Sequence, residues 1–340
     1  MTVPTGPSGS SGPSGSDPAA GPTSPVTALG PASTGPTTTA GLGVPPEAPG
    51  QRPGGGSLWA SAWRRLRTDP VAILGFLIVA AFVTIALLAP LLAPYAPGEL
   101  IGRAEIRPGF IPGPREGHPL GFDRSGADEL SKLLYGARQS LVIGVFATIG
   151  GLIGGLLLGV LAGAFGGWVD SLAMRVVDIL LSVPQLLLAV SVAAILGQRP
   201  TSIMIAIAMT QVPIFARLLR GSMLSQRGAD YVLAARSLGV RSRDITMSHV
   251  LPNSVGPVIV QATLILATVI IDVAALSFLG LGSADPNVAE WGRMLVNAQR
   301  ELEVAPRLAF YPGIAIAVVA LGFTLLGESL REALDPKNRR

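Results

Sequence analysis

Cysteine is absent from the 340 residues. That excludes disulfides, thiolate catalysis and Cys-based metal centres, and it leaves the redox compartment open. Histidine occurs only twice, as His118 and His249. Lysine also occurs only twice, as Lys132 and Lys337, and neither follows the glycines of a Walker A loop, so the chain holds no ATP site of that kind. Charge is scarce: 14% of residues are charged against 49% hydrophobic, and the mean hydropathy is +0.54. A soluble domain of this size needs more charged surface than that. The net charge of +4 reports membrane topology rather than a nucleic-acid surface.

What is present is unevenly distributed. Residues 1–56 are dominated by Gly, Pro, Ser, Thr and Ala. The segment cannot bury enough apolar surface to offset its ordering entropy, and it reads as a disordered tail. It has neither the basic start nor the apolar core of a secretory signal. From Leu58 to Pro70 the character changes. Trp59 and Trp63 alternate with Arg64, Arg65 and Arg67, which suits a short interfacial helix at headgroup depth.

Six apolar spans follow: Val71–Tyr95, Ser140–Gly166, Ala173–Leu196, Thr201–Leu219, Val255–Leu281 and Leu308–Leu326. Each is near or above the ~20 residues that cross a bilayer as a helix, so an all-α membrane bundle is expected. Arginines flank the spans on one side. Arg64, Arg65 and Arg67 come before span one, Arg175 at the joint of spans two and three, six arginines from Arg217 to Arg243, and Arg331 to Arg340 at the end. With six spans, all of these fall on one face. By the positive-inside rule that face is cytoplasmic, as are both termini. The expected organisation is tail 1–56, interfacial helix and first span 57–95, extracytoplasmic loop 96–138, a core of five further spans 139–330 and cytoplasmic tail 331–340.

Gly151, Gly155, Gly159 and Gly163 recur at spacing four and leave one face of span two as bare backbone, suited to close helix contact, within the chain first and between subunits as the alternative. Arg175 and Asp178 lie three apart and can share a helix face. Asp272 sits deep in span five with no basic residue nearby in sequence. It either lines a pathway or is held by buried hydrogen bonds.

The polar segment 230–253 contains a good helix former, Tyr231–Leu238, with small Ala234 and Ala235 midway. Gly239 fits a helix stop, and Leu251-Pro252 leads into span five. A helix, a glycine break and a second helix outside the membrane make a protruding knob. Ala234, Ala235, Gly239, Leu251 and Pro252 resemble the coupling motif of ATP-binding-cassette importer permeases. Leu233 stands in place of the motif's Glu, and His249 in place of its Ile. The run His118-Pro-Leu-Gly-Phe-Asp-Arg-Ser-Gly-Ala-Asp128 is similar to the outer segment of dipeptide/oligopeptide permeases of the C type. So are Gly167-Trp-Val-Asp170, Leu276–Gly282, Glu290-Trp-Gly292 and Leu330–Pro336.

The resemblance implies a type I importer permease fold with six transmembrane helices in the plasma membrane of a bacterium. It implies a non-enzymatic transport subunit that forms half of a path for di- or oligopeptides. Nickel chelates or another small solute are the alternative cargo. The implied partners are a homologous permease chain, two ATPase subunits carrying ATP and Mg, and an extracytoplasmic binding protein; no cofactor is expected on this chain. ATPase coupling is then expected of Tyr231, Leu233, Ala234, Ala235, Arg236, Leu238, Gly239, Leu251 and Pro252. The pathway is expected at Asp272 and Ser277, and binding-protein docking at Asp123, Arg124, Asp128, Glu290 and Trp291. A self-powered secondary transporter with Asp178 and Asp272 as ion carriers is the competing class. An intramembrane metalloenzyme is disfavoured, because the two histidines fall on opposite faces.

Overall fold

The computed structural model describes residues Trp63–Leu334. The tail 1–56, Trp59 and the terminal residues 335–340 lie outside the described residues. Trp63 begins a helical turn, and the Arg67 guanidinium lies 4.7 Å above its ring. Asp69 then caps helix α1, Pro70–Leu92, by accepting from the Val71 N–H at 3.0 Å. Proline at the first helical position suits this start, because its missing N–H would have no partner there.

Nine helices of eight residues or more carry the fold among the described residues. After α1 come α2 (Glu129–Phe165), α3 (Gly167–Ser182), α4 (Gln185–Leu196), α5 (Pro200–Arg227) and α6 (Asp230–Ser237). The last three are α7 (Gly256–Leu276), α8 (Trp291–Gln299) and α9 (Arg307–Leu334). No strand occurs among the described residues; residues 107–128 contribute only isolated bridges.

Five helical segments are long and apolar enough to cross a membrane: Pro70–Leu92, Glu129–Phe165, Pro200–Arg227, Ser242–Leu281 and Arg307–Leu334. The segment expected as span three is different. It is two helices, α3 and α4, bent by 92° at a break around Val183 and Pro184. Pro184 disfavours helical backbone at the residue before it, and Val183 is accordingly extended, with ψ 132°. Alternation of apolar residues alone could not locate that corner. Span five also starts earlier than expected. Ser242–Ile245, a wide five-residue π turn at Thr246–Val250 and Leu251–Ser254 lead into α7, so the polar second helix is the base of the span.

The centre of the bundle is the α2–α5 contact. A Cβ built on Gly151 would lie 2.6 Å from the Gln211 Cβ, and one on Gly155 2.3 Å from that of Phe215. Gly159 meets Leu219, and Gly163 meets Met223. Each pair is sixty residues apart, so α2 and α5 run parallel with their backbones in contact. The close helix contact that the spacing predicts is therefore made within the chain. Ile143, Ile203, Ile207, Phe215, Leu219, Met223, Val269 and Leu276 form the buried core around this pair. A second cluster joins α1, α2, α7, α8 and α9 through Ala86, Leu141, Ile270, Trp291 and Val319.

The outer faces remain apolar. Leu74, Phe76, Leu77, Leu87 and Leu91 of α1 are exposed, and so are Ile153, Leu157 and Leu161 of α2. A helix that is apolar all round and this uncovered is stable only in an apolar solvent.

Two ion pairs near one end of the bundle join α3 to α5. Asp178 of α3 accepts from Arg217 of α5 at 2.7 Å, not from Arg175, although the i,i+3 spacing favours Arg175. Asp170 receives both Nε and Nη2 of Arg220, at 2.5 and 2.7 Å. The fork geometry of arginine suits that bidentate contact, which ties α3 to α5.

Candidate functional site

Helix α6 lies outside the apolar segments. Val232 is fully buried in the main core, and Ala235 and Leu251 pack against the same cluster. The opposite face is open: Leu233 is 51% and Leu238 83% exposed, and Ala234 and Arg236 are exposed beside them. Leu238 ends the helix and Gly239 follows at φ +76°. A side chain is disfavoured at that angle, and glycine is not. The N–H groups of Leu238, Gly239 and Val240 return to the carbonyls of Ala234, Arg236 and Ala235 at 3.0–3.1 Å, which satisfies the last turn. The Tyr231 hydroxyl donates to Gln226 Oε1 at 2.9 Å and stands edge-on to His249. Tyr231 thus holds the helix to its neighbours.

The nine residues expected at a coupling surface therefore divide. Leu233, Ala234, Arg236, Leu238 and Gly239 face outward, and Pro252 is exposed at the base of span five. Ala235 and Leu251 are turned half inward, a distinction the motif spacing does not carry. Beside α6 a recess of about 610 Å³ is lined by Arg227, Arg236 and Arg243 together with Phe165, Val232 and Met247. Arg227 also donates to the Ala164 carbonyl at 2.8 Å, joining the ends of α2 and α5.

Within the apolar part of the bundle is an open recess of about 510 Å³, where polar side chains stand among Leu186, Ile214, Leu264 and Ile265. It is lined by Gln185 of α4, Gln211 of α5, and Gln261, Thr268 and Asp272 of α7. The three α7 residues fall at steps of seven and four, which places them on one helix face. Asp272 accepts from Gln185 Nε2 at 3.0 Å, across the corner where α3 gives way to α4. Gln211 is 1% exposed and its Oε1 has no partner.

Ser277, expected to share the pathway with Asp272, is elsewhere. It is 2% exposed, and its hydroxyl donates to Glu290 Oε2 at 2.8 Å. It closes a loop, and the stripe of α7 that faces the cavity stops short of it. The sequence reading missed Gln185, Gln211, Gln261 and Thr268. Three glutamines within apolar runs, and the helical step from Asp272 back to Gln261, are the signal that would have found them.

The far end of the bundle carries a well-packed cap. Asp128 caps α2, accepting from Ser131 N and Oγ, and meets His118 Nδ1 at 2.8 Å. His118 stacks on Tyr95 and packs against Phe122, which is fully buried. Asp123 accepts from the Ser125 and Ala127 N–H groups and pairs with Lys132. Trp291 donates to the Leu133 carbonyl at 3.1 Å and stands edge-on to Phe82. Burial is the largest influence on Glu290 and pushes its carboxyl above the usual range. Ser277, the Ser283 backbone and Arg293 oppose that shift. On the cap's surface Arg115 hydrogen-bonds Glu105, which lowers the Glu105 carboxyl and raises the guanidinium.

Four of the five residues expected to meet a binding protein are therefore inside. Asp123, Asp128, Glu290 and Trp291 are each 6% exposed or less and hold the cap together. Their conspicuous polarity serves capping and turn formation. Arg124 alone is at the surface, paired with Glu301 at 2.7 Å. A surface pocket of about 360 Å³ beside it is lined by Arg124, Lys132, Arg293, Asn297 and Arg300 as well as Asp123 and Glu290.

Residues 155–340 match the family described as the binding-protein-dependent transport system inner membrane component. Residues 57–104 match the N-terminal membrane domain of oligopeptide transport permease C. The dipeptide transport system permease protein DppC of Alkalihalophilus pseudofirmus is 41% identical over 282 residues, 83% of this chain and 90% of that protein. The glutathione transport system permease protein GsiD of Pectobacterium atrosepticum is 39% identical over 279 residues, 82% of this chain and 91% of that protein. Among solved structures, a chain of the inward-facing MetNI methionine ABC transporter superposes with a TM-score of 0.48 at 17% identity, over 60% of this chain and 96% of that one. The chain thus belongs to the binding-protein-dependent inner membrane components, in their ABC peptide permease branch, as a transport subunit whose ATP hydrolysis resides on a separate chain.

Proposed function

We propose that this chain forms half of the translocation pathway of an ATP-driven importer for di- or oligopeptides. A homologous permease would supply the other half, two ATPase subunits the drive, and an extracytoplasmic binding protein the cargo. The observation that carries the reading is α6, an eight-residue helix held outside the apolar segments with one face buried and the other bare. A secondary transporter has no use for such a knob. The relatives named for dipeptide and for glutathione share a small, amide-linked cargo, which favours peptides over nickel chelates.

The topology in this reading has six crossings, with α3 and α4 together forming the third. The parallel course of α2 and α5 supports it, because a chain that leaves one helix and enters the next in the same direction must first return across the bundle. The arginines near α6 then put that end, and both termini, in the cytoplasm of a bacterium. The coupling surface comprises Leu233, Ala234, Arg236, Leu238 and Gly239, with Pro252 at the edge. Tyr231, Ala235 and Leu251 act as its seat. Docking of the binding protein falls to the surface pocket with Arg124, Arg293 and Arg300, whose excess of cations suits an acidic partner surface.

The test is reconstitution in proteoliposomes with the partner permease, the ATPases and the binding protein. ATP-dependent uptake of labelled dialanine is expected, with none from this chain alone. Uptake without ATPases would overturn the importer reading, and uptake of a nickel chelate but no peptide would overturn the cargo.

A further inference from the structure

We propose that the cavity between α4, α5 and α7 is a recognition station for the free α-ammonium group of the passing peptide, with Asp272 as its counter-ion. The proposal rests on the importer reading above and adds a chemical class to one site within it. The cavity's chemistry is lopsided. Beside four aliphatic side chains its lining holds one carboxylate, three carboxamides and a hydroxyl, with no lysine or arginine. Asp272 has Gln185 Nε2 as its partner at 3.0 Å, and no cation is bonded to it. An anion kept at that depth without a cation costs free energy, and a cationic ligand would lower that cost.

A second observation is independent of the first. Gln211 is 1% exposed, lines the same cavity and leaves Oε1 without a partner. A buried carbonyl left unpaired costs about 1–3 kcal/mol, so a donor is wanted there. Oε1 of Gln211 and the carboxylate of Asp272 both accept. An ammonium and the N–H groups of a peptide backbone both donate. Gln261 and Thr268, on the same face of α7 as Asp272, add groups that can meet carbonyls or amides in passing. A carboxylate ligand finds no cation here. The volume of about 510 Å³ is large enough for a short peptide.

The test uses the complete importer in proteoliposomes, with binding protein saturating. Asp272→Asn keeps the size of the side chain and its acceptor for Gln185 but removes the charge. Its maximal rate for dialanine is expected to fall roughly 10- to 100-fold, the range for one charge-assisted contact. The concentration for half-maximal uptake, set by delivery, should not move. Asp272→Glu should recover part of the rate. The second arm needs no variant. Saturation-transfer NMR on the wild-type complex without binding protein should show contact to dialanine and none to N-acetyl-dialanine. Equal rates for Asp272→Asn and wild type overturn the proposal, as does equal saturation transfer to the two peptides. A wild-type complex that imports no peptide at all overturns the cargo reading instead.

Discussion

At the scale of single residues, the positions that look most reactive are mostly structural. Asp123, Asp128 and Glu290 stand out in the sequence as charges in an outer loop, yet each is buried and satisfies a turn or a cap. A sequence shows that a carboxylate exists and not which way it points. Asp272 was legible because an acid within an apolar run needs a reason. Its neighbours were not, because glutamine carries no charge and draws no notice. Glu290 gives a direct check. Its folded-state carboxyl titrates above the usual range because it is buried, so the protonated form favours folding. The stability from that preference is fully present below the ordinary glutamate pKa of about 4.3 and is lost as pH rises through the raised value. Glu290→Gln should therefore raise the melting temperature in detergent at pH 7.5 and flatten its dependence on pH. No gain at pH 7.5 would mean that Glu290 stays ionised in the fold.

At the scale of elements, helices and their glycine stop were readable from periodicity and turn chemistry. The stripe Gly151, Gly155, Gly159 and Gly163 also announced its use. The break at Val183–Pro184 has a local signal in the proline, but its 92° angle has none, because that depends on where α4 packs against its neighbours. The stripe predicts its own sensitivity. Gly155→Leu would place a Cβ within 2.3 Å of the Phe215 Cβ and Phe215 is fully buried, so the helices must separate. A loss of about 2 kcal/mol or more is expected, read as lower yield of folded protein and lower thermal stability. Gly313 has open space around it and no such penalty, so Gly313→Ala is the control. For α6 the two alanines should separate. Ala234 is exposed, so Ala234→Trp should leave assembly of the chain intact while ATP hydrolysis proceeds without uptake. Ala235 packs on the core, and Ala235→Trp should lower stability as well. Leu233→Glu should be tolerated. Coupled transport by Ala234→Trp would place the docking surface elsewhere.

At the scale of the whole molecule, an all-helical bundle with at least five apolar spans was legible from composition, whereas the arrangement of the spans was not. That α2 and α5 run parallel follows from four pairs of contacts sixty residues apart, a relation no local window contains. The absence of cysteine offers a clean background for testing topology. Ser248→Cys near α6 and Arg300→Cys on the cap should label from opposite sides of sealed vesicles with a membrane-impermeant maleimide. Labelling of both from one side would mean that span five, which alone separates them, does not cross.

The bare-backbone contact between α2 and α5 also limits how the molecule can move. Two helices whose surfaces interlock at every turn have no room for sliding, because a shift of one residue drives Cβ atoms into the facing chain. Shear between them is closed off, so any change between outward- and inward-open forms must carry the pair as one strut and turn about softer points. The chain supplies such points at the Val183–Pro184 corner and at Val255, where the helix of span five is interrupted. Nitroxides at Ile153→Cys and Ile205→Cys, both exposed on the strut, should then report one distance whether or not ATP is bound to the assembled importer. A labelled pair spanning the corner should report two.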